Sequence, residues 1–225
     1  MLKLYTWTTP NGYKVPIMLE ELGVEFELIP VDITKGEQKK PEFLALNPNH
    51  KIPVLVDEEA DGGALALFES GAILMYLGDK YGKFFSKGVR ERAQEVEWLM
   101  FQMANVGPMF GQANHFLKYA PEKVEYGIKR YTDEAKRLAG VMNIRLGDAK
   151  FLGGAYSIAD MATWPWVRTA LDTGFLNLDD FPNLKRWYEA IEKRPAVRRA
   201  LECTDKVCKT EHKPMVCVPN FDEAK

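Results

Sequence analysis

Ile52-Pro53-Val54-Leu55-Val56-Asp57, then Asp61-Gly62-Gly63, then Leu65-Ala66-Leu67-Phe68 running into Glu69-Ser70-Gly71: the fold turns on this stretch. Two short β-favouring runs flank a glycine-rich turn, which is the pattern of a hairpin. Directly after it Ile73, Leu74 and Leu77 share one helical face, so a helix starts near Ser70, its expected N-cap. Upstream, Leu2 to Trp7 alternates apolar and polar residues as a strand does, and Thr8-Thr9-Pro10-Asn11-Gly12 is turn chemistry. Val15, Met18, Leu19 and Leu22 then recur at helical spacing, Gly23 closes that helix, and Phe26 to Val31 reads as a second strand. Strand, helix and strand within about 30 residues make a parallel βαβ unit. The order βαβ then ββα is that of thioredoxin.

Beyond Gly82 the strand signals stop. Ala93, Val96, Met100 and Met103, then Val124, Ile128, Tyr131, Ala135, Leu138 and Met142, step by three and four residues, as amphipathic helices do. Gly107-Pro108 is expected to kink or break the first of these helices. Tyr156-Ser157-Ile158-Ala159-Asp160-Met161 carries a capping box, with Ser157 as N-cap and Asp160 at N3, and a Tyr156/Met161 staple. A last helix is expected from Pro182 to about Leu201. The fold class is therefore α/β plus all-α: a thioredoxin-like N-terminal domain over 1–84, an all-helical C-terminal bundle over 91–205, and a loosely held tail over 206–225.

Composition narrows the class. At 46% hydrophobic residues the chain has ample material for a packed core, which argues against disorder. Thirty basic against 32 acidic residues, with no basic block, argue against nucleic acid as a partner. Neither a signal peptide nor an apolar run of about 18 residues is legible, so no membrane role is expected and the location expected is cytoplasmic. Three cysteines, all beyond residue 200, do not suggest a disulfide framework. Cys203, Cys208, His212 and Cys217 lack the compact pairs of a zinc site, so no metal is expected.

Three local features can carry chemistry, and each also has a plain structural reading. Asn47-Pro48-Asn49-His50-Lys51-Ile52-Pro53 is either a turn into an edge strand or a cis-proline bend that leaves the Ile52 backbone to pair with an extended peptide. Ser70 caps a helix, and a capped N-terminus is also an anion site; with Glu69 beside it, a carboxylate and an adjacent amine are both provided for. That pair describes the γ-glutamyl end of glutathione. In Thr8-Thr9-Pro10-Asn11-Gly12, hydroxyl and amide groups at a helix N-terminus either cap the helix or stabilise a thiolate.

With these motifs quoted, the chain resembles the cytosolic glutathione transferases over residues 1–202. The resemblance rests on Asn47-Pro48 through Lys51-Ile52-Pro53-Val54-Leu55, on Phe68-Glu69-Ser70-Gly71 through Tyr76-Leu77, and on Tyr156-Ser157-Ile158-Ala159-Asp160. Within that family, Thr9-Pro10-Asn11-Gly12-Tyr13-Lys14, Gly36-Glu37-Gln38, Asp61-Gly62-Gly63, Gly107-Pro108-Met109 and Trp164-Pro165-Trp166 are similar to the bacterial Nu class, also called Ure2p-like. The resemblance implies roles residue by residue. Thr9 and Asn11 contact the glutathione sulfur, Gln38 holds the glycyl end, Ile52 supplies backbone pairing, Glu69 and Ser70 hold the γ-glutamyl group, and Arg130 reaches a second glutathione. Lys39-Lys40 offers charge to the glycyl carboxylate. Without a cysteine at Thr8–Asn11, a cysteine-nucleophile chemistry is excluded, and Tyr5 is read as a core or supporting residue.

Glutathione as substrate and disulfide-bond reduction are what the class resemblance implies, the site taking two reduced molecules or one oxidised one. Conjugation of the thiolate to an electrophile, or peroxide reduction, is the alternative at the same site. A non-catalytic scaffold of the same fold is the third reading. The resemblance also implies a homodimer. Trp7, Phe110, His115 and Trp166 are candidates for a second-substrate pocket and equally for the core.

Overall fold

The computed structural model describes residues 1–219. The chain groups into two compact units, one made of residues 1–83 with the segment from Lys193, the other of residues 84–192.

The first unit is built on a five-stranded sheet. Strands β1 (Leu2–Thr6), β2 (Phe26–Pro30), β3 (Val54–Asp57), β4 (Leu65–Phe68) and β5 (Met215–Cys217) lie in the order β4-β3-β1-β2-β5. β1 and β2 run parallel; β1–β3, β3–β4 and β2–β5 are antiparallel. Helix α1 (Pro10–Leu22) joins β1 to β2 and ends on Gly23, whose φ of 72° suits a residue without Cβ. A 3-10 turn at Glu37–Lys39 and the short helix α2 (Pro41–Leu44) precede β3, and α3 (Ser70–Tyr81) follows β4. The expected βαβ–ββα order is observed.

The second unit is helical: α4 (Val89–Phe101), α5 (Gly107–Asn114), α6 (Glu125–Asp148), α7 (Ile158–Thr173) and α8 (Pro182–Glu192). Gly107-Pro108 neither breaks nor sharply ends the helix. The backbone stays helical at Gly107 and passes through a π-helical turn, Gln102–Val106. Pro108 has no N–H to give to the preceding turn, and the wider π geometry accommodates that loss. The capping box at Ser157 and Asp160 is present with both of its hydrogen bonds.

Asp160 holds this unit together. Its carboxylate accepts from Leu152 N–H at 2.9 Å, Ser157 N–H at 3.0 Å and Trp187 Nε1 at 2.7 Å, so one side chain joins the loop before α7, the α7 cap and α8. Trp164 donates Nε1–H to Tyr188 C=O at 3.1 Å and stacks on the Tyr188 ring. Satisfied buried polar groups of this kind fix one packing register among many that would bury equal apolar area.

Three expectations are corrected at the C-terminal end. The last helix is two helices, α8 and α9 (Pro195–Asp205), because Pro195 removes a donor and holds Arg194 at ψ 126°, outside the helical region. α9 packs with the sheet unit rather than with the bundle: Arg194 pairs with Glu21, Arg199 with Glu20, and Tyr13 donates to Asp205. Nor is the segment after 205 a loose tail as far as it is described. Lys206–Glu211 continues as a π-helical turn, Met215–Cys217 pairs with β2, and Cys203 and Cys217 form a disulfide. Residues 220–225 of that expected tail lie outside the described residues.

Burial pushes the Asp160 carboxyl up to about 6, its hydrogen-bond donors opposing the shift. The native state therefore keeps a proton that the unfolded chain gives up near pH 4. Stability contributed by this group falls as pH rises from about 4 to 6 and is level above. In urea unfolding across pH 4–7, wild type loses about 3 kcal/mol relative to Asp160→Asn, whose amide does not titrate. A constant difference between the two proteins contradicts the assignment.

Candidate functional site

The register of the sheet gathers the site. Tyr5 lies opposite Val54, Val54 opposite Phe68, and Thr6 beside Pro30. The end of β1, the entry to β3, the end of β4 and the end of β2 therefore share one edge of the sheet. Thr9 and Asn11 leave β1 there, Ile52 enters β3, Glu69 and Ser70 leave β4, and the loop to Gln38 leaves β2.

The β1–α1 turn is the tightest part. Thr9 is the N-cap of α1, in extended backbone, and its Oγ1 accepts from Gly12 N–H at 3.0 Å. With that acceptor role filled, the hydroxyl proton is the group left to donate outward. Asn11 is half-buried in the first turn of α1. Pro16 lies inside α1 and has no N–H for Gly12 C=O; the buried Thr6 hydroxyl donates to that carbonyl instead, at 2.9 Å. Gly12 has no room for a side chain, since an added Cβ would stand 1.9 Å from Trp7 C=O.

Glu69 and Ser70 stand at the start of α3. The expected N-cap at Ser70 is corrected by one residue: Glu69 is the cap, its carbonyl accepting from Ile73 N–H at 3.0 Å, and Ser70 is already helical. Glu69 has φ 67° and ψ 108°, a strained conformation for a residue with a Cβ. Its side chain is exposed and caps nothing in its own helix, so the carboxylate faces outward. Ser70 is buried, and its Oγ accepts from Lys14 Nζ at 3.3 Å.

Lys14 was quoted only as part of a motif, and the sequence assigns it nothing. It is 1% exposed on α1, and burial pushes its ammonium down to about 7 while Glu69 holds it up. A lysine after Gly12-Tyr13 in an otherwise apolar helix face is the one signal that could have marked it, because a buried ammonium needs a partner.

The other positions are placed as follows. The Ile52–Pro53 bond is cis, Ile52 is half-buried, and the strand ladder begins only at Val54, one residue past the proline. Gln38 sits in its 3-10 turn with a buried Oε1 that meets no hydrogen-bond donor among the described residues. Its loop is fixed by Asp32 and Glu37. Glu37 accepts from Asp32 N–H and from Lys40 Nζ, both at 2.8 Å. Asp32 is lowered to about 2, chiefly by the Thr34 hydroxyl. The Lys40 charge expected to serve a ligand is thus engaged by Glu37. Tyr5 packs edge-on to Phe43 in a cluster with Val31 and Val54. Arg130 belongs to the helical unit: it is exposed on α6, lining a cavity of about 640 Å³ with Tyr126, Tyr131 and Arg137. Phe110 packs against Phe175 and Trp166 is buried, so both serve the helical core; His115 is exposed.

Together the sheet edge offers a helix N-terminus with a hydroxyl for a soft anion, a carboxylate and serine for an amino-acid terminus, and an orphan amide oxygen.

Known proteins resemble the chain over most of its length. The family description "Glutathione S-transferase, N-terminal domain" matches residues 1–79, and "Glutathione S-transferase, C-terminal domain" matches residues 104–195. The disulfide-bond oxidoreductase YfcG of Escherichia coli is 49% identical over 204 residues, covering 89% of this chain and 94% of its own. A glutathione transferase from Burkholderia graminis, solved with two glutathione molecules per subunit, is 45% identical with a TM-score of 0.87, over 89% of this chain and 87% of that one. A Pseudomonas putida glutathione transferase, solved with one glutathione disulfide per subunit, is 43% identical with a TM-score of 0.84, over 89% and 90%.

Two outcomes check the local geometry. Gly12→Ala lowers stability by about 2–4 kcal/mol in chemical denaturation, since backbone blocks the new methyl group. For Lys14, the unfolded chain binds a proton near 10.5 and the native state only below about 7. Stability therefore rises as pH goes from 7 to 10, and Lys14→Met flattens that rise.

Proposed function

The chain belongs to the glutathione S-transferase family, and from that membership we propose that it is a glutathione-dependent disulfide-bond reductase of the Nu-class, Ure2p-like type. The observation that carries this reading is the β1–α1 turn. It sets a threonine hydroxyl and an asparagine at a helix N-terminus, and it holds no cysteine. Such a site activates a thiol brought to it and supplies no sulfur of its own. The relatives solved with two glutathiones or with glutathione disulfide support the same chemistry.

In this reading glutathione lies extended along the sheet edge. Glu69 takes the γ-glutamyl ammonium, while Ser70 and the α3 amides take its carboxylate. The Ile52 backbone pairs with the cysteinyl residue, and Gln38 holds the glycyl end. Thr9 and Asn11 donate to the sulfur. A free thiol ionises near pH 8.5, and each unit of lowering reflects about 1.4 kcal/mol of preference for the thiolate. One or two donors plus the helix N-terminus supply about one to two units, enough to ionise the thiol near neutral pH.

The thiolate attacks one sulfur of a small disulfide, forming a mixed disulfide and expelling the other sulfur as a thiolate. A second glutathione thiolate then attacks the glutathione sulfur of that mixed disulfide, leaving glutathione disulfide and the second substrate thiolate. Arg130 is retained as a cation for a carboxylate of the second glutathione. The donors at the first site serve both as the thiolate attacks and as it leaves.

A cytoplasmic location and a homodimer complete the proposal. Among the described residues no helix is long and apolar enough to cross a membrane. The edge strand β4 carries exposed Leu65 and Phe68, apolar surface suited to a second copy.

Asn11→Ala lowers disulfide-reductase turnover by about tenfold or more, with unchanged circular dichroism, because one donor to developing charge is removed. Unchanged turnover in that variant removes Asn11 from the site. Calorimetry on the wild type is expected to show one glutathione disulfide, or two reduced molecules, per subunit. One reduced molecule together with aryl-halide turnover identifies a conjugating enzyme instead.

A further inference from the structure

The proposed reaction uses none of the chain's own sulfur. Yet the sheet unit contains three cysteines, placed in three different ways. Cys203 on α9 is half-buried and bonded to Cys217 on β5, which is 4% exposed. Cys208, between them, is fully buried; its thiol lies 3.9 Å from Thr6 C=O, and burial pushes it up to about 12. Burial keeps that thiol protonated, which makes it a poor nucleophile.

The disulfide is open to an outside reagent. Cys203 and Cys217 line a surface cavity of about 280 Å³ with Glu20, Arg199, Glu202 and Lys206. Arg199 is engaged by Glu20, and the exposed Lys206 and Glu202 carry opposite charges, so the lining does not repel a small thiolate.

Few other bonds hold what this disulfide holds. β5 is three residues long, lies at the sheet edge, and pairs in the sheet with β2, through Phe26–Cys217, Glu27–Val216 and Leu28–Met215. Val216 is 44% exposed and Met215 half-buried, so only Cys217 of the three is fully enclosed. The segment leading to it runs past the site turn, with Cys208 against Thr6 C=O and the His212 ring 6.0 Å from Trp7, two residues before Thr9.

We infer that Cys203–Cys217 is a reversible clasp, opened by small anionic thiols of the glutathione type, which releases β5 from β2 and loosens the segment packed on Thr6 and Trp7. In the opening step a thiolate attacks the more exposed Cys203 sulfur. The Cys203–Cys217 bond breaks, a mixed disulfide forms at Cys203, and Cys217 leaves as a thiolate that takes a proton from water. A second thiolate attacks the outer sulfur of the mixed disulfide, giving the small-molecule disulfide and reduced Cys203. Two electrons pass to the protein, and oxidation by the small disulfide reverses both steps. The clasp is chemically separate from the Thr9–Asn11 turn and stands or falls independently of the reductase reading.

The test uses the oxidised full chain in millimolar reduced glutathione, quenched with a maleimide and read by peptide mass spectrometry alongside hydrogen exchange. Labels, or a glutathione adduct, are expected at Cys203 and Cys217 and not at Cys208. Amides of Met215–Cys217 and of the Trp7 peptide are expected to exchange about tenfold faster or more, with β1, β3 and α3 unchanged. Cys203→Ser is expected to show the fast pattern with or without glutathione. Three results overturn the inference: a disulfide that survives glutathione, full reduction with unchanged β5 exchange, or labelling of Cys208 together with the pair, which signals unfolding of the whole unit.

Discussion

The close approach of Gly12 to the carbonyl of Trp7 is the constraint on which the sheet edge depends. Only a residue without Cβ fits there, and the fit brings Thr6 Oγ1 to the Gly12 carbonyl that Pro16 leaves without its helical donor. The strand end, the turn and the first helical turn thereby become one rigid piece. Thr9 caps the helix because of that geometry, and its hydroxyl is oriented by the Gly12 N–H it accepts. A donor held in advance in this way needs no reorganisation when charge develops beside it.

A second constraint joins that piece to the other half of the site. Lys14, two residues after Gly12, reaches Ser70 at the start of α3, beside the strained Glu69. A fully buried ammonium is unfavourable by itself, and its lowered proton affinity reports that cost. Its position ties the first turns of α1 to the start of α3 through a single side chain. In the helical unit Asp160 plays the corresponding role, a buried carboxylate that joins three segments through the hydrogen bonds it accepts. Buried charges in both units are thus held by named partners, and apolar burial supplies the bulk of the stabilisation around them.

The C-terminal segment shows where pattern reading fails. An odd cysteine count and a Lys- and Glu-rich composition suggest a loose tail with unpaired thiols. Parity cannot distinguish three free thiols from one buried thiol and one bond, and a three-residue edge strand is too short to show periodicity. Pro195 did carry a usable signal, because a proline that far into a helical pattern ends it at the preceding residue. The two helices it separates belong to different units.

The sequence by itself determined the βαβ–ββα order of the first unit, the caps at Gly23 and Ser157, the hairpin at Asp61-Gly62-Gly63 and the residue types at the sheet edge. These follow from local periodicity and turn chemistry, which act over a few residues. Tertiary structure alone decided the β5 pairing, the disulfide, the burial of Lys14 beneath Ser70, the engagement of Lys40 by Glu37 and the orphan amide oxygen of Gln38. Each of these depends on groups distant in sequence, or on whether water reaches an atom, and both are fixed only when the chain closes on itself.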